Sequence, residues 1–280
     1  MDIPALGLEV PPPAGLEDSL RCGIITPPPA GPYLLPAALH PLLFVVLRGA
    51  VTVHRDGRRD PVAPLSLCGA TSRFQHVEAA PGTVILAMAL RPGGLASLFG
   101  PGAEEVVDAI VPLDALLGRA AVDRFLDRAQ DLAAVPDALA ELLRPACRPD
   151  RRTGGRFEIA PQWLALPVDD LAGRFGLGPR QFERRFLAAY GQPLRAYRRQ
   201  VRAARTIVDF VAGRTGIASW ADVAAGAGYS DQAHLTRDIG RFTGYTPGRL
   251  GAALERGEPA LWPYRVPAPV MTRLFGPTGF

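Results

Sequence analysis

Lysine is absent from this chain, so all 31 basic residues are arginine. The three cysteines, Cys22, Cys68 and Cys147, are odd in number, far apart and without metal-ligand spacing. They argue against a disulfide framework and favour a reducing cytoplasm. No apolar run approaches the roughly 20 residues that a transmembrane helix needs, and the N-terminus lacks the basic and apolar regions of a signal peptide. We therefore expect a cytoplasmic protein without a membrane partner.

Motifs of common catalytic sites are also missing. The chain contains no Gly-rich phosphate loop and no Gly-x-Ser-x-Gly nucleophile elbow. The histidines of the first half, His40, His54 and His76, are scattered, and no His-x-His with a following carboxylate occurs. Surface or core histidines are favoured over metal ligands. We predict no metal, no cofactor and no enzymatic activity.

Charge is distributed unevenly along the 280 residues. Residues 1–150 hold 12 arginines against 17 acidic residues, whereas residues 151–280 hold 19 arginines against 10. The basic half is therefore the half suited to neutralising nucleic-acid phosphates. Arginine in place of lysine, together with much Ala, Gly and Pro, indicates a bacterial genome rich in G and C.

The basic half contains one pattern twice, at residues 171–186 and 223–239. With Asp231 as a single insertion, the aligned pairs are Leu171 with Val223, Ala172 with Ala224, Gly176 with Gly228, Phe182 with Leu235, and Arg184 with Arg237. Each copy predicts a short helix, a turn at glycine, and a second helix carrying an apolar residue and then an arginine. This is the order of a helix-turn-helix unit.

Local signals set the helix boundaries in both copies. The two glycines suit the left-handed conformation that ends a helix. Gly178-Pro179 starts the second helix of the first copy, and Ser230 and Asp231 cap that of the second. Ser219 is the expected cap of the short helix before it.

Residues 193–213 connect the two copies. Apolar residues recur there at helical spacing, with arginines on the other faces, so one amphipathic helix is expected. The connector holds together the second helix of the first copy and the second helix of the second copy. These two helices could enter adjacent major-groove segments.

The second copy reads Gly228-Tyr229-Ser230-Asp231-Gln232, then Arg237, then Gly244-Tyr245-Thr246-Pro247. This order resembles the DNA-binding domain of the AraC/XylS family of transcription regulators. The resemblance implies a sequence-specific regulator of double-stranded promoter DNA, with RNA polymerase as a further partner. The resemblance, extended to the flanking positions, implies that the following residues contact DNA: Arg180, Glu183, Arg184, Gln232, Ala233, His234, Thr236 and Arg237.

Alternatives stay open for the charged residues. Arg184 and Arg237 suit a bidentate contact with guanine O6 and N7, but phosphate contact or pairing with nearby acids is also compatible with the sequence. Arg198, Arg199 and Arg202 are candidate phosphate contacts or part of a solvated helix face. The apolar residues of the two second helices are expected in the core: Phe182, Phe186, Leu235 and Ile239.

The first half is typical of β-structure. Residues 1–40 are proline-rich and favour strands or loops. Short apolar runs at 42–47, 50–54, 64–69, 74–79 and 83–90, with a turn at Asp56-Gly57, predict a small antiparallel barrel or sandwich. Residues 88–100 and 106–118 resemble the end of the cupin-like domain that precedes the DNA-binding domain in actinobacterial regulators. The resemblance implies binding of an effector, whose identity is unknown, or homodimerisation.

We therefore expect an α+β multidomain protein. Its predicted parts are a β-rich, cupin-like effector or oligomerisation domain at 1–115, a helical connector at 116–150, a linker at 151–160, a double helix-turn-helix domain at 161–255 and an irregular tail at 256–280. The connector needs the barrel, the DNA-binding domain or a second subunit as its packing partner. Two other functions stay open: a cupin-like enzyme with an accessory DNA-binding module, and a constitutive DNA-binding protein without an effector.

Overall fold

The computed structural model describes residues 7–147, 157–211 and 220–265. Within these ranges, the first part of the chain is mainly antiparallel β-structure and the second part is helical. The strands are β1 (Leu8–Val10), β2 (Leu20–Thr26), β3 (Gly31–Leu35), β4 (Leu42–Arg48), β5 (Val51–Arg55), β6 (Arg58–Pro61), β7 (Leu65–Cys68), β8 (Gln75–Ala79), β9 (Val84–Leu90) and β10 (Ile110–Pro112).

The strands form two sheets, with the orders β1-β2-β9-β4-β7-β10 and β3-β8-β5-β6. The predicted β-runs are confirmed as β4, β5, β7, β8 and β9, and Asp56 and Gly57 form the predicted turn with positive φ values of 50° and 76°. The sequence analysis missed β6 because this edge strand is fully exposed and polar. The β-rich fold expected for this half is therefore confirmed.

Helices cover the outer face of the six-stranded sheet. They are α1 (Gly94–Phe99), α2 (Asp114–Leu117), α3 (Arg119–Arg128) and α4 (Val135–Leu143). Phe125 and Leu139 pack into the same core as Leu43 of β4, so the barrel is the partner of these helices. Pro136 lies in the first turn of α4, where its missing N–H is tolerated.

The helical part contains α5 (Val168–Arg174), α6 (Pro179–Tyr190), α7 (Leu194–Val211), α8 (Trp220–Gly226), α9 (Gln232–Thr243) and α10 (Pro247–Glu255). Short 3₁₀ helices cover Pro161–Ala165 and Pro259–Arg265. The predicted core positions are confirmed: Phe182, Phe186 and Leu235 are 0% exposed and Ile239 is 2% exposed.

The end of the predicted linker lies in this helical core. Phe157 and Ile159 are buried, and the Phe157 ring lies 4.7 Å from that of Phe175. Apolar packing of this kind fixes the chain, so a flexible linker cannot extend through residues 157–160. The rest of the predicted linker, the Ser219 cap and the tail beyond residue 265 lie outside the described residues.

Two features are absent from the described ranges. No helix there is both long enough and apolar enough to cross a bilayer. No three His, Cys, Asp or Glu side chains converge there as a set of metal ligands.

Candidate nucleic-acid interface and adjoining cavity

The first helix-turn-helix unit consists of α5 and α6. Gly176 turns the chain between them with φ +64°, as its position in the repeat predicts. Gly178 occupies the N-cap of α6 without a side-chain hydrogen bond, and Pro179 is its first residue. The proline presets the helical φ value, so this helix starts without a capping side chain.

The second unit consists of α8 and α9. Gly228 makes the turn with φ +73°, and Asp231 is the N-cap of α9. Its carboxylate accepts the backbone N–H of His234 at 2.6 Å, and together with a hydrogen bond from Ser230 this lowers the pKa of Asp231. The ionised carboxylate therefore fixes the start of α9, as the sequence predicted.

We call α6 and α9 the recognition helices, and their N-terminal halves carry the predicted DNA-binding residues. Six of these are exposed: Arg180, Glu183, Arg184, Gln232, Ala233 and Arg237. His234 and Thr236 are half-buried. The His234 ring lies edge-on to Tyr229, with centroids 5.1 Å apart, and its Nε2 lies 3.5 Å from Asp238 Oδ2. His234 thus supports the turn of its own unit as well as lying beside the exposed face.

The three candidate phosphate contacts on α7 have partners inside the protein. Arg198 donates to the carbonyl of Leu166, and burial lowers the pKa of Arg198. Arg202 Nη1 donates to the carbonyl of Gly228 at 3.2 Å, and its guanidinium lies 5.3 Å from the centre of the Tyr229 ring. Arg199 Nε lies 3.9 Å from Asp238 Oδ1. These arginines therefore join α7 to the segment that precedes α5 and to the second helix-turn-helix unit.

The barrel contacts the C-terminal ends of both recognition helices. Gly93 donates its N–H to the carbonyl of Ala189 in α6 at 3.4 Å. On α9, the carbonyls of Arg241 and Phe242 accept the N–H groups of Phe74 (3.1 Å) and Ala37 (2.9 Å). Each recognition helix is thus fixed at one end and exposed at the other.

The connecting helix α7 is fixed to the barrel as well. Its Gln200 donates from Nε2 to the carbonyl of Thr71 at 2.9 Å, and the Tyr197 hydroxyl lies 3.4 Å from His40 Nε2. Burial, followed by the charge of Arg21, lowers the pKa of His40 to about 3. His40 is therefore a neutral partner for Tyr197 at physiological pH.

An ion-pair cluster joins the barrel to the segment that precedes the first unit. The Glu158 carboxylate accepts a hydrogen bond from Arg21 and another, at 3.1 Å, from Arg91 Nη1. Arg21 is 3% exposed and Glu158 is 14% exposed. The sequence gave no signal for this cluster, because its members are separated by 67 or more residues.

A cavity of about 900 Å³ lies between the two sheets and the helical part. Inward-facing residues of the strands form one wall, among them Ile24, Phe44, Val53, Val77 and Ile85. The opposite wall comes from α7, α10 and the C-terminal 3₁₀ helix, including Ile207, Phe210, Leu254 and Trp262. Its volume is in the range of sites that bind drug-sized molecules. Sequence reasoning missed it, since apolar strand and helix faces predict a core without showing where the core is empty.

Comparisons with known proteins agree with the helical part of this description. Residues 171–253 match a family model described as a helix-turn-helix domain, which spans both units. No curated protein is significantly similar in sequence to the chain.

Solved structures of ToxT and CuxR are similar to this chain at TM-scores below 0.5. ToxT from Vibrio cholerae is 8% identical, with 84% of this chain and 98% of ToxT covered and a TM-score of 0.41. ToxT of Vibrio cholerae strain SCE256 with a bound unsaturated fatty acid is 9% identical, with coverages of 80% and 93% and a TM-score of 0.38. The AraC-like transcriptional activator CuxR is 14% identical, with coverages of 70% and 80% and a TM-score of 0.30.

The assignment rests on the family match and on the two helix-turn-helix units that it spans. Residues 171–253 form a helix-turn-helix domain of the AraC type, and the chain is a DNA-binding transcription regulator.

Proposed function

We propose that the chain reads promoter DNA with both recognition helices at once, in adjacent major-groove segments, and that a small molecule in the cavity controls this binding. The observation that carries the proposal is the pair Arg184 and Arg237. They occupy equivalent positions on α6 and α9, and both are exposed. A guanidinium at such a position can bind guanine O6 and N7.

The other exposed residues complete two readout surfaces. Glu183 is suited to accept a hydrogen bond from the amino group of cytosine, and Gln232 to bind adenine. Ala233 offers a methyl group to thymine. Because Glu183 repels phosphate, its contribution is to specificity and not to affinity.

The connector has a length that suits a double reader. α7 contains 18 residues, which span roughly 27 Å at about 1.5 Å per residue. Successive major-groove segments on one side of B-DNA are about 34 Å apart. One chain therefore presents two helices in the way that a helix-turn-helix dimer does.

The cavity gives a route from ligand to DNA. Its walls belong partly to the barrel and partly to α7 and α10, so a bound molecule contacts both the barrel and the helix between the two units. The barrel also holds the C-terminal ends of both recognition helices. A ligand with different affinities for two arrangements of these parts would change how the helices are presented to DNA.

Selection of duplexes from a random pool tests the double-reader proposal. We expect an enriched site with two half-sites about 10 base pairs apart. Arg184→Ala and Arg237→Ala should each relax the base preference within one half-site. Each should also lose roughly 1–3 kcal/mol of binding free energy. Arg119→Ala is the matched control, because Arg119 is 81% exposed on α3, away from the recognition helices. Enrichment of no common sequence, with all three variants binding alike, would leave only non-specific affinity.

Homodimerisation through the N-terminal domain is a separate part of the proposal. Leu116 on α2 is 57% exposed, and we infer that a second copy of the chain covers it. Sedimentation at increasing protein concentration tests this part. A Leu116→Ser variant should weaken the dimer, whereas a chain that stays monomeric at every concentration would contradict it.

A further inference from the structure

We propose that the cavity takes a hydrophobic ligand without a negative charge. The role of this ligand as an effector rests on the proposed function, but its binding does not. The inference is based on the near absence of charged residues from the described walls of the cavity. Glu255, at the exposed end of α10, is the single charged residue among the described residues that line the cavity. Lysine is absent from the chain, and no arginine occurs among those lining residues.

The neutral polar residues of the walls offer an anion hydrogen bonds but no positive charge. They include Thr26, Thr71 and Gln75. Trp262 Nε1 and the Tyr264 hydroxyl are themselves buried, so these two side chains present ring carbons to the cavity. Burial raises the pKa of Cys68 to about 12, so this group is a neutral thiol. The walls are therefore aliphatic, aromatic and uncharged over most of their area.

Desolvation decides against an anionic ligand. A carboxylate or sulfonate loses its hydration when it enters such a cavity, and no cation among the described lining residues compensates for the loss. Glu255 at the rim repels an anion further and is compatible with a neutral or cationic group. The volume of about 900 Å³ favours a polycyclic or long-chain molecule over a small metabolite.

Arg55 is the cation that could oppose this inference. It follows Val51 and Val53 in β5 with the same inward alternation, its charge acts on the Cys68 thiol, and its Nη2 is buried without a hydrogen-bond partner in the described part of the chain. Arg55 does not line the cavity. An anion would be held only if the Arg55 guanidinium moved from its present position into the cavity, so the test includes Arg55.

Two dyes with the same rings measure the effect of charge directly. Phenylnaphthylamine is neutral, and anilinonaphthalene sulfonate adds one sulfonate to the same skeleton. We expect the full-length protein to bind the neutral dye one-to-one and at least roughly tenfold more tightly than the sulfonate. Glu255→Gln should improve binding of the sulfonate and leave the neutral dye unchanged, which separates charge from the difference in hydrophobicity between the dyes.

Variants that fill the cavity locate the dye. Ala87→Leu and Ala204→Leu extend side chains into it from opposite walls, β9 and α7, and each should weaken the neutral dye severalfold. Ala225→Leu is the matched control on the exposed face of α8. Using two filling variants keeps the test valid if one of them folds poorly, which circular dichroism detects.

Two results would overturn the proposal. One is sulfonate binding as tight as that of the neutral dye and lost in Arg55→Met, since the site would then be built for anions. The other is dye binding that neither filling variant changes, since the cavity would then not be the site. DNA affinity measured with and without the neutral dye tests the effector role separately. A dye that binds in the cavity without changing DNA affinity would refute that role and leave the ligand class intact.

Discussion

The hydroxyl of Tyr197 lies 3.4 Å from Nε2 of His40, and this contact joins the helix between the two helix-turn-helix units to the barrel. Both residues are buried: Tyr197 is 1% exposed and His40 is 2% exposed. The Tyr190 ring packs against both residues, edge-on to Tyr197 at 4.7 Å and tilted to His40 at 5.8 Å. The barrel and the DNA-binding domain therefore share one packed interface at this point.

Acid should destabilise this interface through His40. The pKa of His40 is about 3 in the folded protein and about 6.5 when unfolded, so the unfolded chain binds the proton more readily. The stabilising contribution is complete above about pH 6.5 and is lost as the pH falls from there towards 3. Urea unfolding at about pH 7 and about pH 5 should show a larger loss of stability in the wild type than in His40→Asn.

The control for this prediction is His76→Asn. His76 is an exposed residue of β8, so its replacement should leave the pH dependence of the wild type unchanged. Equal pH dependence in His40→Asn and the wild type would show that His40 does not titrate with unfolding.

Replacement of Gly191 should cost more than replacement of Gly176. Both have positive φ values, 74° and 64°, so alanine at either position introduces a strain of roughly 1–2 kcal/mol. A Cβ on Gly191 would also lie 2.9 Å from the carbonyl oxygen of Ala103, whereas a Cβ on Gly176 meets no atom within 4 Å. The free energy of unfolding of Gly191→Ala, measured with urea, should therefore fall by about a further 1–3 kcal/mol. Equal losses would mean that α6 does not pack against the barrel at Gly191.

The sequence predicted the parts of the molecule that depend on local signals. Gly176, Gly228 and Asp231 set the ends of their helices through backbone conformation and capping, which involve residues only a few positions apart. Alternation of apolar residues likewise revealed strands such as β5. These features could be predicted because each is determined within one short segment.

Contacts between distant segments could not be predicted in this way. Arg198 and Arg202 are predicted as phosphate contacts or as part of a solvated helix face, because a helical pattern shows which residues face away from the local core. It does not show that the carbonyls of Leu166 and Gly228 lie within reach. The cavity was missed for the same reason, because its walls come from β-strands and from α7, more than 90 residues apart.

The Cys68 thiol should react slowly in the native protein. Thiol reagents attack the thiolate, and burial raises the pKa of Cys68 to about 12. In a Cys22→Ser/Cys147→Ser background, alkylation near pH 8 should be roughly a hundredfold or more slower in the native than in the urea-unfolded protein. Mass spectrometry follows the reaction, and similar rates in both states would show that Cys68 is ionised or accessible in the fold. Cys68 lines the cavity, so the neutral dye should slow the reaction further.

Removal of the Glu158 charge should be among the most damaging single changes. Glu158→Gln leaves the buried guanidinium of Arg21 without an ionised partner, and breaking a buried ion pair from one side typically costs about 3–5 kcal/mol. The double variant Arg21→Met/Glu158→Leu removes both buried charges, so it should recover much of that loss. Urea unfolding of Arg21→Met, Glu158→Leu and the double variant measures the coupling between the two residues. Losses that simply add in the double variant would show that the two charges do not interact, and that some other contact holds this segment against the barrel.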